Sequence, residues 1–211
     1  MTIEEMIPNW DKFLAPYAQA VEELKLKLKT LRNDYHLDQK RPPIEFVTGR
    51  VKSPESILEK MEIRNIAVED MLFGIQDIGG IRIMCQFVED IYEVAELLQN
   101  RRDFKVILIR DYIKNAKESG YRSYHMVIEY PVQQADQVTP VIVEIQIRTL
   151  AMNFWATIEH TLNYKYQGQY PEYILNRLQR ASEAAFQLDE EMSEIREEIR
   201  EANHYFDQRY R

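Results

Sequence analysis

Cysteine is almost missing from this chain of 211 residues: the one thiol, Cys85, lies in an apolar run with Ile81, Ile83, Met84 and Phe87. A single cysteine excludes an intramolecular disulfide and fits a core position in a reducing compartment, so a cytoplasmic location is expected. Glycine is scarce at 6, and no lysine follows glycines at the spacing of a Walker-type phosphate loop. The 4 histidines (His36, His125, His160, His204) are far apart, and none precedes an aspartate. No Cys/His metal cluster follows from such spacing, and no motif frames a serine or cysteine nucleophile. An apolar signal segment and a bilayer-length apolar run are also missing, so no membrane partner is expected. Basic side chains number 27 against 35 acidic ones, a formal net charge of -8. That balance argues against a generic polyanion binder, while leaving room for a local basic pocket.

Hydrophobic residues make up 45% of the chain, enough for a real core. Two stretches carry heptad patterns. The first places Trp10, Leu14, Tyr17, Val21, Leu24, Leu28, Leu31 and Tyr35 on one seam, with Pro16 either starting the strong part of the helix or kinking an earlier turn. The second runs through Ile174, Leu178, Ala181, Ala185, Leu188, Met192, Ile195, Ile199, Ala202 and Phe206, with a charged face between. Two seams need partners: each other, the sheet, or other subunits. The reach of the second favours an oligomer over an intramolecular helix pair.

Between them the pattern is mixed α/β. Strands are expected over 44–51, 81–87, 104–112, 121–130 and 141–149, the fourth ended by Pro131. Helices are expected from Pro54, with Ser53 as N-cap, around 68–73, over 88–99 and over 150–166. Residues 133–139 form a hairpin-like connection. The last strand alternates strictly. Val141, Val143, Ile145 and Ile147 point one way, and Ile142, Glu144, Gln146 and Arg148 the other. A half-solvated strand gives the same alternation, but here the polar face lines up a carboxylate, an amide and a guanidinium.

Asp77, in a turn before a strand, and Glu144, in mid-strand, are the two acids of interest. One carboxylate from each of two sheet elements can hold Mg²⁺ when phosphate and water supply the other ligands, although Asp77 alone also suits a turn. Cations gather at strand ends and loops: Arg50, Lys52, Lys60, Arg82, Arg110, Lys114, Lys117, Arg122 and Arg148. Such placement in an acidic chain fits phosphate binding; scattered solubilising charge is the other explanation. Tyr121 is expected to be exposed and able to stack on a base, Tyr124 to pack in the core, and His125 to share a face with Ser123.

Four ordered stretches then carry a resemblance. They are Glu45 to Lys52 (EFVTGRVK), Asp77 to Arg82 (DIGGIR), Lys117 to His125 (KESGYRSYH), and Glu144 to Thr149 (EIQIRT) followed by Asn153 to His160 (NFWATIEH). Together the chain resembles the small alarmone synthetases, single-domain relatives of the synthetase half of the long stringent-response enzymes. Gly79 stands where the family pattern has alanine.

The resemblance implies an α/β (α+β) fold: a nucleotidyltransferase-like mixed sheet flanked by helices, with the long heptad-patterned helices at the ends. It implies one domain over 1–211, made of an N-terminal helix (1–40), a catalytic core (41–166) and a C-terminal helical extension (167–211). The implied reaction moves the β,γ-diphosphate of ATP to the 3′-hydroxyl of GDP or GTP, in synthesis only. By motif, Asp77 and Glu144 would hold Mg²⁺, and Glu144 would take the hydroxyl proton. Arg50 and Arg82 would sandwich adenine, and Lys52, Ser56 and Lys60 would hold ATP phosphates. Tyr121 would stack on guanine and Asn153 read its edge; Lys117, His125, Gln146 and Arg110 would hold the acceptor. The resemblance further implies a homotetramer and, in some members, a central cleft for activating pppGpp, matched here by Lys25, Lys29, Phe46 and Thr48. Single-stranded RNA is a secondary partner it implies. The rival expectations are a non-catalytic RNA-binding or oligomeric adaptor and a polymerase-like nucleotidyl transferase releasing pyrophosphate.

Overall fold

The protein is described by a computed structural model covering residues 2–166 and 171–209. Helix α1 (Ile3–Met6) is a single turn, and α2 (Trp10–Leu37) is the first long helix. Strand β1 (Phe46–Val51) follows, then α3 (Pro54–Arg64), a 3₁₀ turn at Val68–Asp70 and the short α4 (Met71–Gly74). Next come β2 (Gly79–Cys85), α5 (Val88–Gln99), β3 (Lys105–Asp111), β4 (Tyr124–Gln133) and β5 (Val138–Thr149). Two helices close the chain, α6 (Leu150–Tyr166) and α7 (Glu172–Arg209).

The strands form one five-stranded sheet in the order β1-β2-β5-β4-β3. β2 and β5 run parallel and every other neighbour is antiparallel, so the sheet is mixed, as expected. One face carries Ile81, Ile83, Met126, Ile128, Val143 and Ile145, all fully buried. α2 lies on that face and buries Tyr17, Val21, Leu24 and Leu28 of its seam, with Ala20 beside them; α5 packs on the same side with Ile91, Val94, Ala95 and Leu98. Burying each such aliphatic side chain contributes roughly 1.5–3 kcal/mol, so this layer is the main source of stability.

Several local expectations are corrected. Pro16 does not start α2, which begins at Trp10, but lies inside it. β4 does not stop at Pro131; it runs on to Gln133, with Pro131 opposite Pro140 of β5. The β3 ladder has already ended at Glu129 and the β2 ladder begins only at Val143, so here β4 and β5 form a free two-stranded ribbon. Such a ribbon has open edges, where a missing N–H leaves no partner unsatisfied. Gly79 and Gly80 belong to β2 rather than to the turn before it.

The second heptad helix is turned the other way from the first. Among the described residues of α7 the buried ones are Ser182, Asp189 and Ser193, while Leu188, Met192, Ile195 and Ile199 are exposed. Each inward polar group has a partner: Ser182 donates to the Gly120 carbonyl, the Thr149 hydroxyl donates to Asp189 (2.6 Å), and Ser193 donates to Glu89 (3.1 Å). The Phe206 side chain and residues 167–170, part of the expected C-terminal extension, lie outside the described residues. No helix among the described residues is long and apolar enough to cross a membrane.

Candidate active site

The polar face of the sheet is ordered by strand register. Thr48 pairs with Arg82, Arg82 with Gln146, Gln146 with His125, and His125 with Arg110, so one row of polar side chains crosses all five strands. In the next row Arg50 pairs with Gly80 and Gly80 with Glu144. Gly80 has no side chain, which leaves an opening in the floor between a guanidinium and a carboxylate. A cleft of about 870 Å³ stands over this floor, walled by Lys60 and Arg64 of α3, the turn at Gln76 and Asp77, the loop carrying Lys117 and Tyr121, and α6. A smaller cavity of about 200 Å³ adjoins it beside Thr48, Arg50, Gly80 and Arg82.

Asp77 and Glu144 line both spaces. Lys52 and Lys60 clasp the Asp77 carboxylate at 2.9 and 2.7 Å. Burial alone would raise its pKa, but the two ammonium groups outweigh burial and hold it below the ordinary value. Burial likewise pushes the Glu144 carboxyl up, and hydrogen bonds from His125 Nδ1 (3.0 Å) and Gln146 Nε2 (2.7 Å) reverse the sign, so it too is lowered. Both acids are therefore ionised at neutral pH.

Behind Glu144 runs a chain of hydrogen bonds. Arg148 donates to the Tyr121 hydroxyl and to Gln146 Oε1 (2.8 Å). The Tyr121 hydroxyl lies 2.8 Å from His125 Nε2. With the His125 proton on Nδ1, every donor meets an acceptor: Arg148 to Tyr121, Tyr121 to His125, His125 to Glu144. Arg148 is only 5% exposed, and its Nε also donates to Ser123 Oγ (3.1 Å). The guanidinium is thus built into the floor. On the far wall Arg110 donates to Gln76 (3.0 Å), and Lys117 Nζ stands 4.8 Å from the Tyr121 ring centroid.

Of the residues singled out from sequence, Asp77, Glu144, Arg50, Lys52, Lys60, Arg82, Arg110, Lys117, Tyr121, His125 and Gln146 all line this cleft. Tyr121 is not exposed as expected but half-buried, because its hydroxyl is drawn in by Arg148 and His125. Ser56 stays outside, on the first turn of α3, where its N–H is capped by Ser53 (3.3 Å). Asn153 also lies off the cleft wall; α6 reaches the cleft further along, at Thr157, Glu159 and His160. The four residues matched to an activator cleft are split by β1 within one chain. Lys25 lies on α2, on the core side, against Gly49, whereas Phe46 and Thr48 share the opposite face with Arg50. Lys29 is one turn beyond Lys25 on the same helix. Arg122 points away from the cleft and pairs with Glu183 of α7. Arg148, marked in the sequence as a strand-end cation, lines it too, as do Arg64, Gln76, Tyr112, Thr157, Glu159 and His160, which were not singled out for the site.

Among the described residues no group of three or more His, Cys, Asp or Glu could hold a metal unaided. Two ionised carboxylates open to a cationic cleft do fit a hard divalent cation that arrives with phosphate oxygens, since such an ion takes oxygen ligands and keeps several from water or substrate. The arrangement has the chemistry of a site for polyphosphorylated ligands, with room for more than one.

That chemistry agrees with what the chain is related to. Residues 49–169 match the region found in RelA/SpoT proteins. The chain is 60% identical over 198 residues to the GTP pyrophosphokinase YjbM of Bacillus subtilis (strain 168), covering 94% of this chain and 93% of that one. It superposes on the crystal structure of the small alarmone synthetase 1 from Bacillus subtilis bound to its product pppGpp with a TM-score of 0.86 at 61% identity, covering 90% and 97% of the two chains. On that synthetase bound to AMPCPP the TM-score is 0.79 at 56% identity, covering 91% and 98%. The chain belongs to the RelA/SpoT family, in its small alarmone synthetase group.

Proposed function

We propose that this protein is a GTP pyrophosphokinase that makes (p)ppGpp. The 3′-oxygen of GDP or GTP attacks the β-phosphorus of ATP, the bond from that phosphorus to the α–β bridging oxygen breaks, and ppGpp or pppGpp and AMP are released. The observation that carries the proposal is the opening of Asp77, in the turn before β2, and Glu144, in β5, onto one cleft rimmed by guanidinium and ammonium groups. In-line transfer between two nucleotides needs alignment, charge neutralisation and an acceptor for one proton, and little covalent chemistry from the protein.

Asp77 and Glu144 would hold Mg²⁺, which when bound with ATP neutralises phosphate charge. Lys52 and Lys60 lie where they can pass from Asp77 to ATP phosphates. Arg50 and Arg82 flank the smaller cavity and suit the two faces of adenine, because a planar guanidinium stacks well. Ser56 and Asn153, carried over with the family pattern, need a shift of α3 or α6 to reach ligand. Tyr121, Lys117, Gln146 and Arg110 form the acceptor side, with His125 steering Glu144 through its Nδ1 hydrogen bond. Glu144, ionised and held by two donors, is a weak base at rest. It takes the hydroxyl proton as the new O–P bond forms and the hydroxyl becomes acidic.

The proposal extends to one synthetase domain over 1–211, to synthesis without hydrolysis and to a cytoplasmic location. It also extends to a homotetramer, supported by the bare apolar stripe of α7 and by Phe154 (70% exposed) and Ile158 of α6. A subunit interface would also be needed to join Lys25 and Lys29 with Phe46 and Thr48 from another copy into one activator cleft.

The test is an incubation of the protein with Mg²⁺, GDP and ATP labelled on both the β- and γ-phosphates. Two labelled phosphates joined to the guanine nucleotide, in step with AMP release, are expected. Label appearing only in free pyrophosphate would overturn the proposal in favour of the polymerase-like reading, and label that stays in ATP would overturn it in favour of the adaptor.

A further inference from the structure

The loop that carries Lys117 and Tyr121 is closed by backbone hydrogen bonds from Gly120 N to Lys117 O (2.8 Å) and from Lys117 N to Tyr121 O (3.2 Å). Glu118 is exposed, while Ser119, Gly120 and Tyr121 are half-buried. The loop is bolted to α7 at two successive positions. The Ser182 hydroxyl donates to the Gly120 carbonyl. Gly120 has φ +88°, and a Cβ added to it would lie 2.7 Å from the Ser182 Cβ, so the helix leaves no room for a side chain there. Two residues on, Arg122 forms an ion pair with Glu183 (2.9 Å) and lays its guanidinium over Phe186, 3.9 Å from the ring centroid. Its other arm donates to Ile113 O (3.2 Å), at the base of the same loop. Ser182, Phe186 and Asp189 share one face of α7, and Asp189 accepts from Thr149, the residue after Arg148. One helix face thus braces the acceptor side of the cleft at the Tyr121 loop and at the end of β5. Lys52, Lys60 and Asp77, on the ATP side, are instead held by one another.

We infer that α7, through Ser182, Glu183 and Phe186, is a positioning element for the acceptor nucleotide and sets its affinity apart from that of ATP. This rests on the pyrophosphokinase reading of the cleft. None of the three residues touches substrate; they act by holding Gly120 and Arg122, and so the Tyr121 ring and the Lys117 ammonium.

The experiment uses the full chain with Phe186→Ala combined with Glu183→Gln, and Phe186→Tyr as the conservative replacement that keeps the ring. Binding of GDP and of a non-hydrolysable ATP analogue is measured separately by calorimetry, and KM for each substrate by turnover. The double variant should raise Kd and KM for GDP about tenfold while those for the ATP ligand stay within about twofold, as loss of one stacked cation and one partly exposed ion pair implies. Phe186→Tyr should remain within about twofold of wild type for both. Equal weakening of both nucleotides would assign α7 a merely structural role and overturn the inference. So would a double variant that binds GDP like the wild type. A wild-type chain that binds neither nucleotide would instead sink the reading of the cleft, and this inference with it.

Discussion

α2 turns Tyr17, Val21, Leu24 and Leu28 onto the sheet, whereas α7 turns Ser182, Asp189 and Ser193 inward and leaves Leu188, Met192, Ile195 and Ile199 in the open. Both helices carry an apolar seam at heptad spacing. In α2 that seam is the floor of the core. In α7 the seam from Leu188 to Ile199 is spare, and the opposite face uses hydrogen bonds to brace a loop and a strand end. A repeat of apolar residues identifies a face that wants a partner; it does not say whether the partner lies in the same chain.

Three variants sharpen this contrast. The largest effect is expected for Leu24→Ala, at a residue 1% exposed, which should cost about 2–5 kcal/mol in urea unfolding through lost burial and the cavity left behind. A cost near that of Leu188→Ala would break the distinction between the helices.

Next is Asp189, whose carboxyl burial pushes up to about 6 from 3.8, in spite of the Thr149 hydroxyl that favours its charged form. Below the unfolded pKa the aspartate is neutral in both states and its burial is tolerated. As pH rises toward the folded value, the unfolded chain gives up its proton first, so stability falls, and above pH 6 the full cost of a buried charge is present. Asp189→Asn should therefore stabilise the chain by about 1–3 kcal/mol at pH 8 and by little at pH 4, as seen in unfolding curves at the two pH values. A gain independent of pH would contradict the assignment.

The smallest effect on the fold is expected for Leu188→Asp with Ile195→Asp, on the exposed seam. Subunit stability should change by less than about 0.5 kcal/mol, while sedimentation should show a smaller assembly than wild type. An unchanged assembly would leave the α7 stripe without the proposed partner.

Much of the floor was legible in the sequence because alternation in a strand is a geometric rule. Once 141–149 is a strand, Glu144 and Gln146 must share a face. The same rule covers Arg148, which was seen on that face but not as the anchor of the Tyr121–His125–Glu144 chain, since that depends on a neighbouring strand. Arg50 and Arg82 were marked as cations at strand ends, and Lys52, Lys60 and Asp77 by the resemblance; register brings the two arginines together, and α3 sets Lys60 beside them. On α6 it is Thr157, Glu159 and His160 that line the cleft, one turn beyond Asn153; a helix pattern does not give its rotation against a cleft. Nor could local pattern reveal that Gly120 is needed for close approach to Ser182, a contact across 62 positions of chain.

The central claim is that Asp77 and Glu144 share one divalent cation with the ATP phosphates. Titration of Mn²⁺ in the presence of a non-hydrolysable ATP analogue, followed by electron paramagnetic resonance, addresses it directly. Wild type should take up the metal–nucleotide complex, and Asp77→Asn and Glu144→Gln should each weaken it by about tenfold or more. Mn²⁺ uptake that neither substitution disturbs would contradict the account.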